Sequence, residues 1–244
     1  RIKREEGVTA LRSLAPDLCV TAAFGQLLSQ EILDIPPMGT INVHASLLPR
    51  HRGSAPINWC VMMGEKTTGI TTMYTDKGMD TGDMLEKTVV KLNPDETGGS
   101  LFDRLSLLGG DLILSTLSKL AKGEITPVPQ DHTQATYVKK ISKSMGDIDW
   151  TMDAASIERL VRGLNPWPSA YTSYAGKTMK IWAADVAGLP GERTPGKIHV
   201  TKNQLFVETG DGVLDVKELQ LEGKKRMDTA SFLRGFQMED GSFC

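Results

Sequence analysis

Hydrophobic and polar residues follow two alternating patterns along the first two thirds of the chain. Runs of strand length, most of them apolar or β-branched, predict strands at 18–24, 41–46, 68–74 and 84–90. Apolar positions at helical spacing, with Pro or Gly near the ends, predict helices at 2–14, 29–33, 56–63 and 98–121. Because the run at 18–24 is apolar throughout, it is typical of a parallel strand covered on both faces. The alternation of strands and helices predicts an α/β domain.

The pattern changes after a capped helix around 157–164, which ends at Asn165 and Pro166. From Tyr171 onward, β-like runs separated by Gly, Pro and Asn predict strands at 179–184, 197–201, 204–209 and 213–219. Several short strands at regular spacing are typical of a small barrel. We therefore predict two domains, residues 1–170 and residues 171–244.

Composition narrows the class of protein. With 40% hydrophobic and 24% charged residues among 244, the chain resembles an ordinary globular protein. No apolar run approaches membrane-spanning length, and a net charge of −2 gives no support for a general affinity for nucleic acid. The three cysteines, Cys19, Cys60 and Cys244, are widely spaced, which argues against a disulfide framework or a zinc site. They favour a reducing compartment, so we expect a cytoplasmic protein without a membrane partner.

Candidate chemistry lies at the end of the strand at 41–46. Alternation places Asn42, His44 and Ser46 on one face of this strand, and Pro49 ends it. In open α/β sheets, ligands usually bind at the carboxyl ends of the strands. Asp80 follows the strand at 68–74 in a glycine-rich loop. If that strand is parallel to the first, its loop meets the same edge, which predicts a contact between Asp80 and His44.

These residue types suit acyl transfer. A protonated imidazole beside an amide would offer two donors to an oxygen that gains negative charge. A nearby carboxylate would orient the ring and could accept a proton through water. However, a lone His on a strand and an Asp in a glycine-rich loop are more often structural. Residue types alone favour the structural interpretation.

Longer segments around these residues resemble a known superfamily, the folate-dependent formyltransferases. The resemblance covers residues 42–49, Arg52 with Gly53, and residues 79–84, and the spacing between them also matches. It implies a Rossmann-like formyltransferase domain, N-terminally incomplete, followed by a small OB-like β-barrel domain. It also implies that Asn42, His44 and Asp80 are catalytic.

The same resemblance implies that the co-substrate is 10-formyltetrahydrofolate, and we expect no metal cofactor. Two segments are implied to line the folate pocket. One is a loop made of Ser46, Leu47, Leu48 and Pro49. The other follows the first strand and contains Phe24, Gly25, Gln26, Leu27 and Leu28.

The second half of the chain resembles the branch of the superfamily that acts on initiator methionyl-tRNA. The matching segments are 147–150, 162–168, 195–198, 209–212 and 219–227. The resemblance implies transfer of a formyl group to the α-amine of methionine on that tRNA, and we expect a monomer. Lys224, Lys225 and Arg226 could contact tRNA phosphates. Acidic residues outnumber basic ones in residues 190–244, so a solvated loop explains this cluster at least as well.

Two alternatives stay open. The chain could be a formyltransferase that acts on a small-molecule amine such as an amino sugar, or a truncated remnant that only binds folate or RNA. Members of the superfamily begin with strand–helix units that have no counterpart here. We therefore expect the strand at 18–24 to expose its edge and one face, and the polypeptide to fold poorly or aggregate.

Overall fold

The computed structural model describes residues 2, 4–188, 193–239 and 241–243, and these form two compact units. The first unit contains the described residues of 1–57 together with 66–92 and 101–140. The second contains 58–65, 93–100 and the described residues of 141–244. Residues 141–170 thus cluster with the later strands, while the domain division at residue 170 stays a prediction. Neither Cys19 nor Cys60 forms a disulfide, and Cys244 lies outside the described residues.

Helices and strands alternate through the first half of the chain, close to the predicted segments. In chain order they are α1 (Glu5–Ser13), β1 (Cys19–Ala22), α2 (Gln30–Leu33), β2 (Thr40–His44), β3 (Arg52–Gly53), α3 (Pro56–Met62), β4 (Thr67–Tyr74), β5 (Met84–Lys91), α4 (Gly98–Ala121) and β6 (Tyr137–Val138). The predicted helix at 98–121 is confirmed along its whole length. Strand β2 is shorter than predicted, because the chain bends after His44 and leaves Ser46 in the following loop.

Four strands form the sheet of the first unit, in the order β1, β2, β4, β5. β1 and β2 are parallel, with Cys19 opposite Thr40, which confirms the predicted strand–helix–strand unit. β4 is antiparallel to β2, with Ile41 opposite Tyr74, so the prediction that these two strands are parallel was wrong. The chain leaves β2 and enters β4 at the same end of the sheet, and an antiparallel pair needs no crossover.

In the described part of the chain, β1 lies at the edge of this sheet. Its residues alternate between half-buried and exposed, and Val20 is 44% exposed. The prediction that both faces of this strand are covered was therefore wrong, whereas the expected exposure of its edge and one face is confirmed. A continuous apolar run indicates a strand, but it does not show which elements cover that strand.

Helix α4 packs closely on the middle of the sheet. Leu101 and Leu105 of this helix are buried, and a Cβ atom built at Gly109 would lie 3.2 Å from side-chain atoms of Val43 and Ile70. A glycine at this position therefore lets the helix approach β2 and β4. Helix α4 thus packs against one face of β2, the strand that contains His44.

The second unit is dominated by one antiparallel sheet. Its elements are α5 (Ala154–Gly163), β7 (Ala170–Tyr174), β8 (Lys177–Ala187), β9 (Lys197–Val200), β10 (Leu205–Glu208), β11 (Val213–Leu221), β12 (Met227–Asp228), α6 (Thr229–Gly235) and β13 (Gly241–Ser242). The strand order is β13, β9, β10, β11, β8, β7, with β12 paired to β11, and the sheet forms a half-barrel. This confirms the predicted barrel-like second domain. Helix α6 was not predicted. Within the described residues, every helix is too short or too polar to cross a membrane.

Candidate active site

The His44 side chain, at the C-terminal end of β2, contacts two groups of the first unit. Its Nδ1 atom lies 3.6 Å from Oδ1 of Asp80, and its Nε2 atom lies 3.0 Å from the carbonyl oxygen of His51. The two side chains of the His44–Asp80 pair are only 6% and 18% exposed. Because a carbonyl oxygen can only accept, Nε2 of His44 carries a hydrogen and donates it to His51. The 3.6 Å distance between Nδ1 of His44 and Oδ1 of Asp80 confirms the predicted contact between these two residues.

The loop that carries Asp80 reaches His44 although β4 is antiparallel to β2. Asp80 has a φ angle of +56°, in the left-handed region that non-glycine residues rarely adopt. The backbone N–H of Gly53, in β3, donates to Oδ2 of Asp80 over 2.8 Å. The reason given from the sequence, two parallel strands that end at one edge, was wrong. The contact depends instead on the turn at Asp80 and on β3.

Asn42 is oriented by the neighbouring strand. Thr21 lies opposite Asn42 in the register of β1 and β2, and its hydroxyl donates to Oδ1 of Asn42 over 2.9 Å. This contact turns the amide nitrogen of Asn42 away from Thr21. Since residues two apart share a face of a strand, Asn42 and His44 lie on the same face of β2. Nε2 of His44 can donate to a reacting oxygen there once that oxygen replaces the carbonyl of His51.

The loop at 46–49 is fixed by buried hydrogen bonds. The Thr71 hydroxyl donates to the carbonyl of Ser46 over 2.8 Å and accepts from the N–H of Leu48 over 3.2 Å. The Ser46 hydroxyl donates to the carbonyl of Arg50 over 2.7 Å, and the Lys87 ammonium donates to the carbonyl of Leu48 over 2.6 Å. Burial lowers the pKa of Lys87 from its usual value. The loop thus has a defined conformation beside the end of β2.

The second predicted segment, residues 24–28, follows β1 at the end of the sheet where β2 also ends. Phe24 is 39% exposed and Leu27 is 48% exposed, so both side chains are accessible from solvent. Gly25 and Gln26 are exposed as well. Leu28 is buried with Val8 and Ile32 and so contributes to a small core instead. A folate-lining role for residues 24–28 stays a prediction.

Residues that sequence reasoning missed hold the site in place. They are Thr21, His51, Thr71, Lys87 and Gln130, each of which contacts a predicted site residue or its loop. Thr71 and Lys87 lie in β-branched or alternating strand segments, where nothing in the local pattern separates them from their neighbours. Within the residues described, no group of three or more His, Cys, Asp or Glu side chains is placed to hold a metal ion.

The basic cluster at 224–226 follows β11 in the second unit. The Arg226 guanidinium donates to both carboxylate oxygens of Glu218, which raises the pKa of Arg226, and it lies 4.5 Å from the ring centre of Trp182. The Lys224 ammonium lies 6.0 Å from the ring centre of Phe236, and Lys225 is exposed. All three residues are exposed, and Arg226 is the one paired with a carboxylate.

Comparison with known proteins decides the family. Residues 1–117 match the profile of the family described as formyl transferase, and residues 140–237 match the formyl transferase C-terminal domain. A methionyl-tRNA formyltransferase of Agathobacter rectalis is 52% identical over 244 residues, which is 100% of this chain and 79% of that protein. The chain belongs to the formyl transferase family.

Two solved structures at about 20% identity share the fold of this chain. Methionyl-tRNA formyltransferase from Clostridium thermocellum has a TM-score of 0.60 at 20% identity, over 76% of this chain and 80% of that one. HypX from Aquifex aeolicus in complex with tetrahydrofolic acid has a TM-score of 0.66 at 20% identity, over 93% of this chain and 40% of that one. The predicted fold class is therefore confirmed.

Proposed function

We propose that this chain transfers the formyl group of 10-formyltetrahydrofolate to the α-amine of methionine on initiator tRNA. The observation that carries the proposal is the contact between buried His44 and partly buried Asp80, beside Asn42 on the same strand, in a chain 52% identical to a methionyl-tRNA formyltransferase. These three side chains supply hydrogen-bond donors and a proton acceptor. They are the groups that acyl transfer to an amine requires.

The reaction follows from these groups. The methionine amine attacks the formyl carbon, so a carbon–nitrogen bond forms while the formyl oxygen gains negative charge. The amide of Asn42 and the imidazole of His44 donate hydrogen bonds to this oxygen and stabilise the tetrahedral intermediate. Asp80 accepts, through a water molecule, the proton that the amine loses. The bond between the formyl carbon and the folate nitrogen then breaks, and this nitrogen takes up a proton.

The two substrates would approach different parts of the chain. The loop at 46–49, which Thr71 and Lys87 hold in one conformation, is a preorganised wall for the folate. Lys224 and Lys225 would contribute charge for tRNA phosphates, because Arg226 is already paired with Glu218. The reaction would take place in the cytoplasm, where translation is initiated.

Formyl transfer from radiolabelled 10-formyltetrahydrofolate tests the proposal. The purified chain is offered initiator methionyl-tRNA in one arm and a nucleotide-linked amino sugar in the other, and folate binding is measured by calorimetry in parallel. We expect label on the tRNA and none on the sugar. Label on the sugar alone would assign the chain to small amines, and folate binding without turnover would make it a binding protein.

A further inference from the structure

A buried arginine near the site makes contacts that the mechanism above does not use. Arg52 is 1% exposed, although its side chain carries a charge. Its Nε and Nη2 atoms donate to Oε1 of Gln130 over 3.1 and 2.6 Å. Its Nη1 atom donates to the Tyr137 hydroxyl over 3.1 Å, and Nη2 lies 3.1 Å from Nδ1 of His132. The guanidinium thus presents its planar edge to one amide oxygen.

Gln130 connects this arginine to the catalytic loop. Its amide nitrogen donates to the carbonyl oxygens of Asp80 and Gly82 over 2.9 and 2.7 Å. A guanidinium can only donate and a backbone carbonyl can only accept, so the orientation of the Gln130 amide is fixed by its partners. Gln130 is itself buried, at 5% exposure. Gln130 therefore connects the two, because its side-chain oxygen accepts from Arg52 and its nitrogen donates to the loop that contains Asp80.

The loop needs such a bridge because of its backbone conformation. Asp80 has a φ angle of +56°, which costs free energy for a residue with a side chain. Such a conformation persists where the surroundings over-determine it. Gln130 holds the carbonyl of Asp80 itself and that of Gly82, while the N–H of Gly53 holds the Asp80 carboxylate. Arg52 and Gly53 are adjacent in β3. This short strand therefore holds both Gln130, through Arg52, and the Asp80 carboxylate, through the N–H of Gly53.

We propose that Gln130, aligned by Arg52, is a positioning residue that holds the Asp80 carboxylate against His44. The proposal rests on the proposed function, because Asp80 is the proton acceptor of that reaction. The proposed mechanism assigns neither residue a contact with a substrate. Their effect is on the place and direction of a carboxylate that takes the amine proton through one water molecule, and such a group must be held within about 0.5 Å of its productive position.

The substitution Gln130→Glu separates positioning from a general structural role. A glutamate keeps the side-chain shape and accepts from Arg52 through a charge-assisted bond, so the anchoring of this segment is retained. It removes both donors to the loop, because a carboxylate oxygen then faces the carbonyls of Asp80 and Gly82. We expect kcat to fall by about 10- to 100-fold with little change in either KM, since a small misplacement of a catalytic group has effects of this size.

The matched control is Gln134→Glu, the same chemical change four residues away on an exposed side chain that bonds to Asp131. A second readout does not depend on activity. The N–H of Gly53 is protected by its bond to Asp80, so hydrogen exchange at this amide, measured by NMR, should be faster in Gln130→Glu than in Gln134→Glu. Arg52→Lys, which keeps the charge but loses the planar fork, should lie between the parent and Gln130→Glu in kcat.

The outcomes are distinguishable from a failure of the proposed function. If the parent chain formylates methionyl-tRNA and Gln130→Glu does so at the parental kcat, the positioning role is overturned and the function stands. If the parent chain transfers no formyl group, the function fails, and exchange at Gly53 still decides whether Gln130 holds the loop. Unchanged exchange at Gly53 in Gln130→Glu would overturn the proposal in either case.

Discussion

The Thr71 hydroxyl provides a test of the proposed folate-lining role of the loop at 46–49. Thr71 is fully buried, and its hydroxyl bonds to the carbonyl of Ser46 over 2.8 Å and to the N–H of Leu48 over 3.2 Å. Valine has nearly the same shape but makes neither bond. Thr71→Val therefore removes the partner of two buried backbone groups without opening a cavity.

The size of the effect follows from those two groups. A buried donor or acceptor left without a partner costs about 1–3 kcal/mol, and the longer bond to Leu48 contributes toward the low end. Together they give about 2–4 kcal/mol, or a fall in Tm of roughly 5–15 °C for a chain of this size. If about 1.4 kcal/mol of this appears as weaker folate binding, the KM for the folate rises tenfold.

The matched control is Thr72→Val, at the next residue of β4. Thr72 is also fully buried, and its hydroxyl lies 2.9 Å from that of Thr116 and accepts from the N–H of Glu86 over 3.1 Å. Its bonds thus point to α4 and β5 and not to the loop. Thermal unfolding followed by circular dichroism should show both variants to be destabilised, whereas initial rates at varied 10-formyltetrahydrofolate should show a raised KM only for Thr71→Val. Equal KM values in the two variants would show that the loop held by Thr71 does not contribute to folate binding.

Three further predictions concern stability and tRNA. Asp153 caps α5 by accepting from the N–H of Ser156 over 2.8 Å, and the hydrogen bonds from Ser156 hold the pKa of Asp153 below its usual value. Asp153→Ala should therefore lower the free energy of unfolding in urea by about 1 kcal/mol near neutral pH. Because the pKa of Asp153 is lowered in the folded state, this loss should be complete above roughly pH 4 and should shrink as the pH falls further. A loss that grows in acid would contradict the capping role. Gly69→Ala should lower both Tm and transfer activity, since a Cβ there would lie 2.0 Å from the carbonyl oxygen of Thr88 and 2.6 Å from Cδ2 of Leu47; an unchanged melt would show that the strands can separate at no cost. Replacing Lys224 and Lys225 by Ala should reduce the steepness with which kcat/KM for tRNA falls with salt, by about 0.7–0.9 for each lost phosphate contact, while a parallel salt profile would remove both lysines from the tRNA interface.

The sequence predicted the elements better than their arrangement. The leucine stripe of α4 repeats over six turns, so its bounds could be predicted, and Pro and Gly mark the ends of α3. The direction of β4 could not be predicted, because alternation is the same in parallel and antiparallel strands. Val20 shows a related limit, since an apolar run does not reveal whether a strand lies at the edge or the centre of a sheet.

At the candidate site, the sequence likewise predicted some residues and missed others. Asn42, His44 and Asp80 could be selected because each lies at a strand end or in a glycine-rich turn within segments that resemble a known superfamily. The residues that support them could not be selected, because Thr71 and Gln130 reach the site from 23–25 and 48–50 residues away in the chain, through two hydrogen bonds each. The pairing of Arg226 with Glu218 could not be predicted from the sequence either. Because of it, the three basic residues cannot be treated as one cluster that binds phosphate.

We propose that Asp80 and His44 act together in formyl transfer to initiator methionyl-tRNA. The most direct measurement is the single-turnover rate of this transfer with saturating 10-formyltetrahydrofolate, for the parent chain, Asp80→Asn and His44→Asn. Circular dichroism melts of the same preparations report whether the fold is retained. We predict that each variant loses about 10²- to 10⁴-fold in rate with a cooperative melt, as expected for removal of a proton acceptor or an oxyanion donor. A folded Asp80→Asn variant that transfers formyl groups at close to the parental rate would show that Asp80 is not the proton acceptor.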